Sequence, residues 1–196
     1  MANTRKIVTP VARASFVHVF QPQKNDQGKF EYRMTMIFDK DADISELKAI
    51  VKEAIKEKYG TNPPKNLKLP IKNGNDLDTD KYPEYKNKIV INVKSVNYPP
   101  GIIDYKTKQP ITDPSEFYSG CYCVASLVAY TYEHKSGGKG VSFGLQNIMK
   151  IKDGEPLISR GKAEDDFASI IKGETELNID LEGDDEDDDI LDLDLD

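Results

Sequence analysis

From Arg5 to Phe20 the chain reads RKIVTPVARASFVHVF, with Arg13, Ser15, Val17 and Val19 alternating against Ala14, Phe16, His18 and Phe20. A period of two in a segment rich in valine and aromatics predicts a β-strand. The following QPQKNDQGK, with Pro22, Asn25, Asp26 and Gly28, has the composition of a turn. Phe30, Tyr32, Met34, Met36 and Phe38 then share one face of FEYRMTMIF, so the two segments are expected to form a hairpin. Here the period changes. Ile44, Leu47, Val51, Ala54, Ile55 and Tyr59 fall at helical spacing, with a capping box expected from Asp43 and Glu46 and a stop at Gly60 and Pro63.

Residues 61–87 contain four prolines together with Lys65, Lys68 and Lys72, and read as a long basic loop. KIVINVKSV, residues 88–96, sets Ile89, Ile91 and Val93 against Lys88, Asn92 and Lys94, a strand with one apolar face. After a loop rich in proline and tyrosine, GCYCVASLVAYTYEH is apolar on both faces and is expected to run through the sheet centre. The link KSGGKG turns into VSFGLQNIMKI, a second hairpin, and EDDFASII at 164–171 is a short helical candidate. A mainly β chain of about five antiparallel strands, with one helix inserted after the second, suits an OB-fold-like barrel with long loops. An α+β sandwich is the alternative.

Composition changes the picture chiefly at the C-terminus. At 196 residues one domain with appendages is expected. The net charge of −7 hides a division: residues 174–196 hold 13 acids and no base, leaving 21 of the 34 acids against all 27 bases. The body, residues 1–173, is therefore about +6, and only the tail is acidic. The tail lacks aromatic residues and cannot bury enough apolar surface to offset the entropy of ordering, so it is expected to be disordered. A positive body attracts phosphates despite the low overall pI.

Several chemistries fail on spacing. No apolar run approaches the ~20 residues of a membrane span, and the N-terminus lacks a secretory core, which points to a cytoplasmic protein. Cys121 and Cys123, at i and i+2, share a strand face and read as reduced, buried thiols; His18 and His134 do not complete a zinc site. Asp39, Asp41 and Asp43 start like a calcium loop, but Ile44 and Ile50 stand where glycine and glutamate are needed. SGGKG precedes a strand and lacks the frame of a P-loop, and the G-x-x-G of Gly137–Gly140 lies in a hairpin rather than between helices. No nucleophile has a neighbouring base, and neither a cofactor nor a metal is expected. A divalent-ion site at Glu164, Asp165 and Asp166 would make the chain a nuclease, the least favoured reading.

The remaining chemistry is cations beside flat rings, the combination that binds single-stranded nucleic acid through phosphates and base stacking. Arg13, Arg33, Lys88 and Lys94 occupy the polar phase of their strands and are expected to form a positive stripe. Tyr98, Tyr105, Tyr118 and Tyr122, close in sequence to cations such as Lys106, are the stacking candidates, ahead of Phe16 and Phe143; Lys139 in the hairpin link completes the set. The tail divides into an acidic run, Asp184, Asp185, Glu186, Asp187, Asp188 and Asp189, suited to competing for a basic groove, and an end where Leu191, Leu193 and Leu195 alternate with aspartate, suited to a partner. The competing class is a protein-interaction adaptor whose tail mimics nucleic acid.

The motifs DPSEFYSG, KGVSFGL, DGEPL and AEDDF between residues 113 and 167, with VARASFVHVFQP near the start, closely resemble a family of tailed-bacteriophage single-stranded-DNA-binding proteins. The resemblance covers most of residues 5–171. It implies an OB-fold, an acidic C-terminus and binding to displaced strands in phage replication, recombination and repair. RNA and duplex DNA would be weaker ligands, replication proteins would dock on the tail, and a homodimer is left open. Many such tails end in an aromatic residue, whereas this one ends Leu195, Asp196.

Overall fold

The structure is a computed structural model that describes residues 5–25, 27–96, 98–134 and 138–157. The acidic tail, the helix expected at 164–171 and the acids at 164–166 lie outside the described residues.

Eight strands and one α-helix are present among these residues: β1 Ile7–Val8, β2 Ala12–Lys24, β3 Phe30–Asp39, α1 Ser45–Tyr59, β4 Ile71–Asn73, β5 Lys88–Ser95, β6 Gly101–Asp104, β7 Tyr122–Glu133 and β8 Lys139–Lys152. Five of them, β2, β3, β5, β8 and β7, close into a ring. This is the barrel expected from the strand pattern, with one refinement. A ring of five cannot alternate direction all the way round, so one seam must be parallel. It is β5 with β8, paired only at Val93↔Phe143 and Lys94↔Gly144.

That short seam is reinforced by the loop read from sequence as purely irregular. Residues 61–87 contain β4, which extends the β5 edge at Ile71↔Ile91 to Asn73↔Ile89, and two 3-10 turns at Gly74–Asp76 and Pro83–Tyr85. Just before β4, Lys68 donates its amide to the Lys139 carbonyl and accepts from the Val141 amide. One segment thus bonds both strands of the weak seam.

Phe38, Phe117, Phe143, Met34, Leu127 and Leu145 fill the barrel, each side chain contributing roughly 2 kcal/mol through removal from water. Leu47, Ile50 and Val51 of α1 join this core. The helix starts differently from the capping box read in the sequence. Ile44 occupies the cap position, Asp43 accepts from the Ser45 amide one residue early, and Glu46 pairs with Arg5 instead of reaching back. Gly60, at φ 61, ends it as expected. Cys121 and Cys123 are free and buried, and burial pushes the Cys123 thiol up to about 12, which keeps it protonated and inert.

Strict alternation fails in β2. Ala12 and Ala14 point inward, as do Val17 and Val19, so the phase slips by one between them. The slip is a β-bulge: Ser15 pairs with Thr35, the next pair is His18 with Arg33, and Phe16 lies between with φ 48. The Val17 amide that the bulge frees from the ladder donates to Ser119 Oγ at 3.1 Å.

Candidate nucleic-acid interface

The interface is built at the end of the barrel where the two hairpins turn. In the first turn Asn25 accepts from the Gln27 and Lys29 amides, and Gly28 supplies φ 73, which closes the loop tightly. Asn25 Nδ2 donates to Glu31 at 3.1 Å, and the side-chain Nε2 of Gln27 meets His134 Nδ1 of the second hairpin at 3.0 Å. The two turns are therefore tied to each other and to the sheet.

Glu31 is only 5% exposed. Two cations share it, Lys94 at 3.2 Å and Arg33 at 3.7 Å, both from the outward face of β3 and β5. A buried carboxylate would be costly alone; here two cations and an amide satisfy it, and it fixes the length and direction of both cationic side chains. Thr35 donates to Asn92 beside them at 2.9 Å.

Around this centre lie two connected depressions, one of about 390 Å³ reaching Phe16 and His18, the other of about 440 Å³ between the hairpins. Glu31, Asn92, Lys94 and Ser142 border both, so they form one trough. Its charged walls are Lys29, Arg33, Lys68, Lys72 and Lys94 against Glu31, five cations to one acid. Tyr130 and Tyr132 line one end, and Phe16 the other. Burial, with the nearby Arg33 guanidinium, lowers the His18 pKa, so that ring is neutral at physiological pH.

Of the residues singled out in the sequence, Arg33 and Lys94 line this trough. Lys139 adjoins it, pairing with Glu133 at 3.6 Å, and Tyr98, 77% exposed, follows the end of β5. The others are elsewhere. Arg13 donates to the Glu155 carbonyl at 2.6 Å, with its Nε buried and unpartnered, and Tyr118 donates to the Gly154 carbonyl at 2.9 Å. Tyr122, opposite Arg13 in register, lies under Lys152 with 4.6 Å to its ring centre. Lys88 is bound to Asp39 at the opposite end of β3. Tyr105 and Lys106 sit in the turn after β6, where Lys108 covers the Tyr105 ring at 3.9 Å. The expected continuous stripe is thus interrupted, because Ile37, Tyr85 and Val90 form a small apolar cluster over the middle of the same face.

Sequence reading missed Lys29, Lys68, Lys72 and Phe16. The lysine cluster of residues 65–72 was the available signal. What the sequence lacked was the long-range pairing that lays this loop across the β5–β8 seam.

A family profile described as the single-stranded-DNA-binding protein of Enterobacter phage Enc34 matches residues 5–181. This chain belongs to that family. Protein p50 of Acyrthosiphon pisum secondary endosymbiont phage 1 is 29% identical to this chain over 181 residues, 87% of this chain and 97% of p50. The single-stranded DNA-binding protein of bacteriophage Enc34, solved in complex with single-stranded DNA, matches with a TM-score of 0.64 at 25% identity, over 77% of this chain and 88% of its own. Bacteriophage T7 gp2.5, a single-stranded DNA-binding protein, shares the fold at a TM-score of 0.57 and 15% identity, over 92% of this chain and all of its own. The Enc34 family is one of binding proteins, not enzymes.

Proposed function

We propose that this protein binds single-stranded DNA with little regard to sequence, along the trough between the two hairpins, and protects displaced strands in phage DNA replication, recombination and repair. The observation that carries the reading is the concentration of five cations around one shared acid on the β3–β5 face, between the two hairpin turns. In an OB barrel that face and those turns are where an oligonucleotide lies. Long cationic side chains contact phosphates and release counterions, which supplies affinity without reading bases. Flat rings at both ends of the trough accept any base. Membership of the Enc34 family supports the same ligand.

The 13 acids of residues 174–196 compete with DNA for the trough, since a tethered polyanion acts at an effective concentration in the millimolar range. The alternating aliphatic and acidic end, through Leu191, Leu193 and Leu195, contacts replication proteins in the host cytoplasm. Fluorescence anisotropy with labelled oligo-dT and a duplex of equal length tests the reading. Oligo-dT is expected to bind tighter, and removal of residues 174–196 to tighten it further at low salt. Absence of binding to either would favour the adaptor, and unchanged affinity on truncation would remove the tail from the trough.

A further inference from the structure

Phe16 is the one aromatic residue with a left-handed backbone among the described residues, at φ 48. A bulky side chain avoids this region because its Cβ crowds the backbone, and such strain persists where the surrounding structure holds it. Here the holding parts are visible. Ser119 takes the freed Val17 amide at 3.1 Å, and the Ser15↔Thr35 and His18↔Arg33 pairs fix the strand on both sides of the bulge. The effect is to take Phe16 out of the alternation and turn it toward the trough, where its ring is left 36% exposed.

The ring has a built support. Tyr82 meets it edge to face, with centroids 5.3 Å apart and planes at 80°. Tyr82 rests in turn on Tyr85, centroids 5.4 Å apart, and Tyr85 is buried against Ile37 and Val90. Lys81 stands over Tyr82 at 5.4 Å. In an edge-to-face pair, whichever ring presents its edge, Tyr82 leaves at least one face of Phe16 uncovered. Arg33 and Lys94 line the same depression as that ring, so a phosphate held by them brings its base within reach.

We propose that Phe16 is a base-stacking residue of the trough, set in place by the β2 bulge and braced by Tyr82 and Tyr85 from the loop between α1 and β5. The inference rests on the trough being the DNA site. It assigns the inserted loop a second task besides closing the barrel: keeping a stacking ring in position.

The chain contains no tryptophan, so Phe16→Trp places a single indole that can be excited to the red of the ten tyrosines. Oligo-dT is expected to quench it and to lose the effect in high salt. Phe16→Ala should weaken oligo-dT binding about tenfold, yet bind an abasic strand of the same length and charge as the wild type does, because a stacking ring acts only on bases. Tyr82→Ala should reproduce part of that base-dependent loss. Phe16→Gly should melt no lower than Phe16→Ala, reversing the usual order in strands, because glycine accepts the left-handed backbone. The Lys68→Glu/Lys72→Glu variant keeps the two ideas separable: if it abolishes binding while Phe16→Ala binds oligo-dT normally and Phe16→Trp is unquenched, the trough stands and the stacking role falls. If the lysine variant binds normally, the trough itself is wrong. Equal losses by Phe16→Ala on oligo-dT and on the abasic strand would make the residue structural.

Discussion

The two ends of the barrel carry the same kinds of side chain and use them differently. At the far end, where β8 finishes, Lys150 is buried and bound to Asp153 at 2.7 Å, and the Arg13 guanidinium is bonded to the Glu155 carbonyl. Tyr118 is bonded to the Gly154 carbonyl, and Tyr122 is covered by Lys152. Burial works against the Lys150 ammonium, yet its bond to Asp153 leaves its pKa above the usual lysine value. Rings and cations there satisfy each other. At the trough end, two cations divide one carboxylate, and Lys29, Lys68 and Lys72 have no ion pair among the described residues. Neither a residue type nor its place on a polar strand face therefore marks a binding surface. What marks it here is unpaired charge gathered, with open rings, around one depression.

The sharpest way to break the comparison is charge reversal at both ends. Lys68→Glu/Lys72→Glu removes two cations that have no ion pair among the described residues and adds two anions, and is expected to weaken oligo-dT binding on the order of 100-fold near 0.1 M salt. It should also flatten the plot of log affinity against log salt by about 1.4, at roughly 0.7 per phosphate contact on a single strand. Lys106→Glu/Lys108→Glu at the β6 turn should stay within about twofold, because salt screens charges farther from the strand than about 10 Å, and Tyr122→Ala likewise, because a ring off the path stacks on no base. Comparable losses at the two ends, measured by anisotropy, would dissolve the distinction.

The second contrast concerns stability. Glu31→Ala leaves Lys94 and Arg33 without their shared acid and Asn25 Nδ2 without its acceptor, and should cost about 2 kcal/mol in urea unfolding, less than for a fully buried pair because both cations are partly exposed. Asp153→Ala removes an acid that is largely exposed, although its partner Lys150 is buried, and should cost about 1 kcal/mol or less. If Glu31→Ala costs no more than Asp153→Ala, the shared carboxylate does not organise the trough.

What was readable in the sequence follows the range of the physics involved. Periodicity is local, so β3, α1, β5, β7 and β8 are legible from their apolar positions; the strand count suits a barrel, but its closure depends on pairing that periodicity does not carry. Nor is the bulge legible. In SFVHV two apolar residues, Phe16 and Val17, follow one another, which breaks the alternation without saying which of them turns outward; only pairing with β3 and the Ser119 hydroxyl, more than a hundred residues away, decides it. From sequence alone Phe16 therefore reads as a packed ring. Glu31, between two aromatics at the start of a strand, reads as a solvated charge until Lys94 arrives from a strand 63 residues on. Lys68 and Lys72 were noticed as basic, but their position depends on the bridge from Lys68 to Gly140.

The smallest expected effect tests how polar the trough is when empty. His18 borders it, and burial first, then Arg33, lower its pKa below the ordinary 6.5. In the window between that lowered value and 6.5 the unfolded chain binds the proton more readily, so the contribution of His18 to stability is complete above 6.5 and is lost as pH falls through its folded value. DNA acts in the opposite sense. A phosphate beside Arg33 offsets the repulsion and favours the imidazolium, so binding should take up a proton and affinity should rise by about threefold as pH falls from 7.5 to 5.5. NMR titration of the His18 ring with and without oligo-dT measures both halves: an upward shift on binding, absent on an abasic strand only if the bases rather than the phosphates position the backbone there. A His18 pKa indifferent to DNA would place the phosphates away from the Phe16 end of the trough, and would confine the strand to the half between the hairpins.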